Sequence, residues 1–415
     1  MAKEYNSSEW GSSEVTNVTI TNGTDANGTT KNPSCDLNDY CETMEEYMDR
    51  LHDFIYPKPS EWVLIVAYAL TFFVGLIGNF LVCFAIWRNK NMRTVTNMFI
   101  VNLSVADLAV IILCLPSALL IDVTQTWFLG TTLCKIHLFL QSLGISVSVL
   151  TLSSISVERW YAICHPLRFH STVGRARAII IIIWTVSILL ALPELIFSTV
   201  VPLHPATVLV STCSPSLWNE EDQAIYQVFL MIAMYFIPLC LMGFAYMQIA
   251  LVLWRGHIPG ASTSRSARSR QPMLNNRHHR ESTDNEDQMD CRRKAAKMLV
   301  AVVVMFGLCF FPIHLFNIFR YTGVLQKIGQ SESTIFALIA HWAAFFNSCI
   351  NPVIYNFMSE KFRKEFKVAV LACVSCGRKM GQWNRNDAYR VTFNSGRTIS
   401  VRYSNHTHLP MQNCV

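Results

Sequence analysis

Residues 134–160 read CKIHLFLQSLGISVSVLTLSSISVERW, a run of apolar and small residues opened by a cysteine and closed by an acidic–basic–aromatic triplet. Arg159 stands 25 residues beyond Cys134, and at about 1.5 Å rise per residue a helix covers about 37 Å over that distance, more than the roughly 30 Å of a bilayer's hydrocarbon. One helix thus joins both aqueous faces. Gln141 lies seven residues inside Cys134, two turns deeper on nearly the same face, with Ser142 beside it. Its uncharged amide both donates and accepts hydrogen bonds.

Outward from this stretch, six further apolar runs complete a series at about 62–87, 97–121, 133–157, 178–200, 224–253, 295–319 and 333–358, each long enough to span a membrane. Composition agrees. Of 415 residues 52% are hydrophobic and only 15% charged, against about 25% charged in an ordinary soluble domain. Collagen, disordered and nucleic-acid-binding classes are excluded on the same ground. The expected architecture is an all-α membrane bundle of seven helices over 62–358, with the two termini on opposite sides.

Charge sets the orientation. Residues 1–61 carry four basic and twelve acidic residues, whereas 255–297 carry ten basic and five acidic, and 358–415 ten and three. Arg88, Lys90 and Arg93 follow the first span and Arg168, Arg175 and Arg177 the third, while the links 122–132 and 201–223 hold no Lys or Arg. Positive links stay inside, so the amino terminus is expected to be extracellular and the carboxyl terminus cytoplasmic, in a multi-pass plasma-membrane protein. No apolar signal segment occurs in 1–34, so the first span is expected to direct insertion. Sequons at Asn6, Asn17, Asn22 and Asn27 suit a glycosylated outer segment, and Asn405 falls on the cytoplasmic side. Between 36 and 55, Leu37, Tyr40, Met44, Tyr47, Met48 and Leu51 recur at helical spacing opposite Asp39, Glu42, Glu45 and Asp49. That segment is either a helix resting on the membrane or an acidic lip that draws in a basic ligand.

A polar side chain within a span is costly unless a partner or a wet cavity receives it. The main set is Asn79, Asp107, Asn347, Ser348 and Asn351, each about half-way along its helix. They suit a shared network around Asp107 that serves as packing knot, switch or cation site, with sodium the candidate ion. Most of the 14 cysteines lie in spans or on the reducing side, which makes Cys134 and Cys213 the natural oxidised pair; Cys35 and Cys41 are a second outward pair. Pro238, Pro312 and Pro352 each free a backbone carbonyl and create bendable points. Glu360 through Val370 reads as an amphipathic helix on the membrane, Phe362 and Phe366 down and Lys361, Arg363, Lys364 and Lys367 toward acidic lipid, followed by Cys373 and Cys376 as palmitoylation candidates. The Ser/Arg-rich segment 255–297 reads as a linker and cytoplasmic loop.

Taken in order, Gly78-Asn79, Asn102-Leu-Ser-Val-Ala-Asp107, Trp127-Phe-Leu-Gly130, Cys134, Glu158-Arg159-Trp160, Trp184, Pro193, Pro238, Tyr246, Phe306 through Pro312 and Asn351-Pro352-Val-Ile-Tyr355 resemble the rhodopsin-like, class A G-protein-coupled receptors from residue 58 to about 376. Glu61-Trp-Val-Leu-Ile, Met92-Arg-Thr-Val-Thr-Asn97, Ser146-Val-Ser-Val-Leu-Thr-Leu, Arg159-Trp-Tyr-Ala-Ile-Cys-His-Pro-Leu and His341-Trp342 are similar to the orexin receptors and their invertebrate relatives, the allatotropin receptors. Phe345, where vertebrate orexin receptors have tyrosine, draws the resemblance toward the invertebrate branch. It implies a receptor without enzymatic activity for an extracellular, C-terminally amidated neuropeptide, held by Gln141, Ser142, Asn317 and His341 under a β-hairpin lid within 194–223. His341 alone also suits an ordinary interhelical hydrogen bond. The inner face would bind a heterotrimeric G protein, of the Gq type with calcium release, through Glu158, Arg159, Tyr246 and Tyr355, with arrestin and receptor kinases as further partners.

Two departures alter the expected mechanics. Helix six carries Cys309-Phe310-Phe311-Pro312 where the family has an indole, so the switch at Phe310 works by packing. Arg292-Arg293-Lys294 replaces the acidic partner of Arg159, leaving Glu158 to hold it. An opsin would need a lysine in 333–358, an amine receptor a carboxylate at Gln141, a transporter inverted repeats, and a membrane enzyme clustered ligands at one depth. None is present in the sequence. A receptor for another amidated peptide or for a lipid messenger is the alternative.

Overall fold

The computed structural model describes residues 61–166, 172–204, 207–254, 275–327 and 329–375, together with isolated positions in 49–57 and the strand residues 390–392 and 398–400. The sequons, Cys35, Cys41, Cys376, Asn405 and nearly all of the acidic segment 36–55 lie outside them.

Seven apolar helices form the bundle: α1 Glu61–Arg88, α2 Val95–Thr124, α3 Gly130–Cys164, α4 Val173–Phe197, α5 Glu221–Leu253, α6 ending at Tyr321 and α7 Gln330–Met358. An eighth, α8 Glu360–Ser375, follows directly. Each outer surface carries an unpartnered apolar stripe, as on α1 at Val63, Val66, Leu70, Phe73, Ile77 and Phe80. Such faces match lipid, whereas in water a patch that large would drive association.

Inside, α3 packs against α2, α4 and α5, and α7 against α1 and α6. The larger apolar core lies toward the Arg159 end, around Phe99, Leu152, Ile155, Met242, Val302 and Phe306. A smaller cluster of Tyr68, Val110, Leu115 and Phe345 fills the disulfide end. Glycine permits the closest approaches: a Cβ on Gly144 would collide with Val110, and one on Gly78 would come within 2.8 Å of Pro352. The indole N–H of Trp184 donates to Asn102 at 2.9 Å, and Asn102 donates in turn to Thr151 at 2.8 Å, so α4, α2 and α3 share one buried tie.

Proline shapes two helices in a way the sequence did not announce. A π-helical turn at Val110–Cys114 precedes Pro116 in α2, and another at Ile232–Phe236 precedes Pro238 in α5. The wider turn absorbs the carbonyl that proline leaves unbonded and re-aims the residues beyond it. Because α2 continues to Thr124, Asp122, read as part of a link, belongs to the bundle. Likewise α4 runs to Phe197, so Glu194 is helical rather than in the loop.

The expected hairpin is present within that loop: β1 Thr199–His204 pairs antiparallel with β2 Thr207–Ser214, Val200 opposite Cys213. A disulfide joins Cys213 to Cys134 across a sequence separation of 79. Trp127 N–H donates to the Ser211 carbonyl at 2.8 Å, and the Ser211 hydroxyl donates back at 2.9 Å, so the hairpin is pinned at a second point.

Two segments at the Arg159 end differ from expectation. Residues 275–297, read as linker, belong to α6, whose helix starts at Asn275. Phe362 and Phe366, assigned to the membrane, are buried against the bundle, Phe362 stacked on Tyr355 at 5.4 Å. Asn89 donates to Glu365 at 2.9 Å, fixing α8 to the first link.

Candidate functional site

At the disulfide end, α3 carries Gln141, α6 Asn317 and α7 His341. Gln141 and Asn317 are half-buried and, among the described residues, neither hydrogen-bonds to the protein. His341 differs. Its Nδ1 lies 2.9 Å from Oδ1 of Asp122, and the Tyr68 hydroxyl donates to Oδ2 of the same carboxylate at 2.5 Å. Asp122 is 4% exposed, and these two groups are the hydrogen-bond partners of its side chain. The interhelical hydrogen bond open to His341 is therefore made, while the other ring edge meets Phe316, the neighbour of Asn317, at 6.1 Å between centroids.

A second buried carboxylate lies near the end of α4 that leads into the hairpin. Glu194 of α4 is 8% exposed and close enough to Tyr226 and Tyr321 to act on both electrostatically. Tyr226 donates to the Leu190 carbonyl at 2.7 Å, with Ser142 near its hydroxyl. Sequence reasoning missed Asp122, Tyr68 and Glu194. Asp122 sits one residue past the span boundary drawn at 121, and Glu194, though inside the span 178–200, also fell within the lid segment 194–223.

Below Gln141 a narrow chamber is lined by Gly144, Ser148, Phe310, Phe345 and Asn347. Phe310 is 4% exposed and packs on Phe306 at 5.0 Å, forming a wall without a polar handle. The chamber leads to Asp107, fully buried, which accepts from Asn351 at 3.0 Å and Ser148 at 3.5 Å, with Ser348 beside it. Asn79 donates to the Ser348 carbonyl at 2.8 Å. Amide oxygens of Asn79, Asn347 and Asn351 are buried without a partner. A carboxylate, hydroxyls and orphaned amide oxygens form an all-oxygen donor set that fits a hard cation.

At the other end Glu158 is held twice. Arg159 Nε donates to Oε2 at 2.8 Å and the Thr96 hydroxyl to the same oxygen at 2.9 Å, while Arg159 Nη2 also reaches Thr96. From α6 Arg292 approaches Arg159 closely enough to repel it. Tyr246 lies buried beside Ser156 and Arg159, and Tyr355 is 1% exposed under Phe362. In this arrangement Tyr355 is covered rather than presented.

Seven apolar spans, a buried polar network around Asp107 and a charged cluster at Glu158–Arg159, joined by one long helix, make up the bundle. The family described as "7 transmembrane receptor (rhodopsin family)" matches residues 78–355. The chain belongs to that family. This rhodopsin-family receptor is a multi-pass G-protein-coupled receptor and not an enzyme. It is similar to the QRFP-like peptide receptor of Branchiostoma floridae, 31% identical over 379 residues, covering 89% of this chain and 92% of the relative.

Proposed function

We propose that the receptor binds a C-terminally amidated neuropeptide at its extracellular end and activates a heterotrimeric G protein, with allatotropin- or orexin-type peptides and Gq-driven calcium release as the specific reading. The observation that supports it is that α3 and α6 carry the half-buried amides Gln141 and Asn317 at the end of the bundle where His341 of α7 is held by Asp122. An amidated terminus offers both donor and acceptor to such groups. A free carboxylate would face Asp122 and Glu194 and be repelled, whereas basic side chains would be drawn in. The likeness to a receptor named for a peptide supports the same class.

The hairpin tied to Cys134 is the lid of this cavity. Peptide contacts that are stronger in one arrangement of α3, α6 and α7 shift the population toward it, with Pro238, Pro312 and Pro352 as flexing points and Phe310 as the repacking element. A sodium ion at Asp107 favours the other arrangement. Uncovering of Tyr355, with Arg159 and Tyr246, then completes the G-protein site, to which arrestin and receptor kinases also come. Asn6, Asn17, Asn22 and Asn27 carry glycans outside, and Cys373 and Cys376 carry acyl chains inside.

The test is calcium release in transfected cells across a panel of amidated neuropeptides and their free-acid forms. Activity of an amidated peptide that falls at least tenfold in the acid form supports the proposal; response to lipids alone refutes it. A topology read-out, glycan removal at the four amino-terminal sequons, checks the orientation separately.

A further inference from the structure

Glu194 lies three residues before the end of α4 and is 8% exposed. Among the described residues no cation pairs with its carboxylate. Ser198 stands beside it, but the Ser198 hydroxyl makes no hydrogen bond of ordinary length. Tyr226 of α5 and Tyr321 at the end of α6 both lie within its electrostatic reach, yet the Tyr226 hydroxyl is already given to the Leu190 carbonyl. Arg320, the cation next along α6, is exposed and lies over the Tyr321 ring at 6.0 Å. Because α4 packs on α2 and α3 and not closely on α6, Glu194 and Tyr321 act on one another across the space between their helices. Ser142, the neighbour of Gln141 on α3, lies near the Tyr226 hydroxyl, so the carboxylate belongs to the same end of the bundle as the two amides. A carboxylate this deep without a counter-charge is costly unless a cation from outside the chain completes it.

We propose that Glu194 is a subsite for a basic side chain of the bound peptide, arginine in preference to lysine. The assignment rests on the peptide-binding reading above and adds to it the residue class that the α4 wall selects. A guanidinium is planar and weakly hydrated and meets both carboxylate oxygens at once, whereas an ammonium is a compact, strongly hydrated point charge. The Tyr226 ring supplies an aromatic face beside it. Among the described residues no group of metal-ligating side chains is found, so an organic cation suits this lone carboxylate better than a metal ion.

The probe is Nα-acetyl-L-argininamide, compared with its uncharged isostere Nα-acetyl-L-citrullinamide, and the reading is thermal stabilisation of the purified full-length receptor over a concentration series. The argininamide is expected to bind about tenfold more tightly. Glu194→Gln should abolish that preference, Glu194→Asp should keep part of it, and Arg320→Gln should leave it intact. The ligand-free melting temperature of Glu194→Gln, expected at or above wild type, checks that the variant folds. No stabilisation by the argininamide, equal binding of the two amides, or an undiminished preference in Glu194→Gln, as a protonated and neutral Glu194 would give, overturns the assignment. A preference that appears only in Arg320→Gln would give the carboxylate to Arg320 and overturns it too. Because the probe lacks the rest of a peptide, a negative result removes the Glu194 subsite alone, whereas the amidated-peptide reading stands or falls on the calcium screen.

Discussion

The Asp122 carboxylate of α2 bridges Tyr68 of α1 and His341 of α7, with Oδ1 2.9 Å from the imidazole and Oδ2 2.5 Å from the phenol. Three helices therefore meet on one buried charge at the end where a ligand would enter. Anything that moves α7 must either carry this contact along or break it.

Removing that charge should reveal the coupling. In a double-mutant cycle of Asp122→Asn and His341→Gln, measured by thermal stability of the purified receptor, the pair is expected to couple by about 1–2 kcal/mol. The 39% exposure of the His341 side chain places it between exposed and buried pairs. Additive effects would show that the contact contributes nothing beyond its members.

Thr96→Val deletes the hydroxyl donated to Glu158 while keeping shape. Glu158 and Arg159 lose a shared partner, and ligand-free nucleotide exchange should rise two- to fivefold. Arg159→Ala, by contrast, should preserve peptide binding and abolish exchange. An unaltered basal rate in Thr96→Val would remove Thr96 from the resting clamp.

Cys134→Ser opens a connection of 79 residues, which the chain-entropy argument values at roughly 4–5 kcal/mol. Surface expression by flow cytometry should drop sharply, and Cys213→Ser should match it without adding to it in the double variant. Additive losses would mean that each cysteine matters for a separate reason.

Phe362→Ala removes the ring stacked on Tyr355 and leaves a hole at a position 1% exposed. A loss of about 3–5 kcal/mol is expected, read as a lower melting temperature, whereas Phe362→Leu should recover most of it. A melting temperature unchanged in Phe362→Ala would return this residue to the membrane, as first read from the sequence.

The spans were legible because twenty or so apolar residues in a row have one solution in lipid. Asp107, Asn351 and the Cys134–Cys213 tie were legible too, since a polar group in a span stands out against its background. Asp122 escaped because the apolar run that marks a span gives out at 121, one residue before it, while the helix continues to Thr124; Glu194 lies near the end of its span, where an acidic residue reads as the start of the lid segment. The burial of Phe362 escaped for another reason: an amphipathic period states which face is apolar but not whether lipid or protein covers it.

The central claim is that Gln141, Asn317 and His341 form one peptide-reading cavity coupled to the Arg159 end. Its most direct test is nucleotide exchange on purified G protein by the reconstituted receptor, driven by whichever amidated peptide the calcium screen identifies, in wild type, Gln141→Ala and His341→Ala. Each substitution is predicted to raise the half-maximal peptide concentration at least tenfold while the maximal exchange rate stays within twofold. Potency unchanged in both variants would contradict the account.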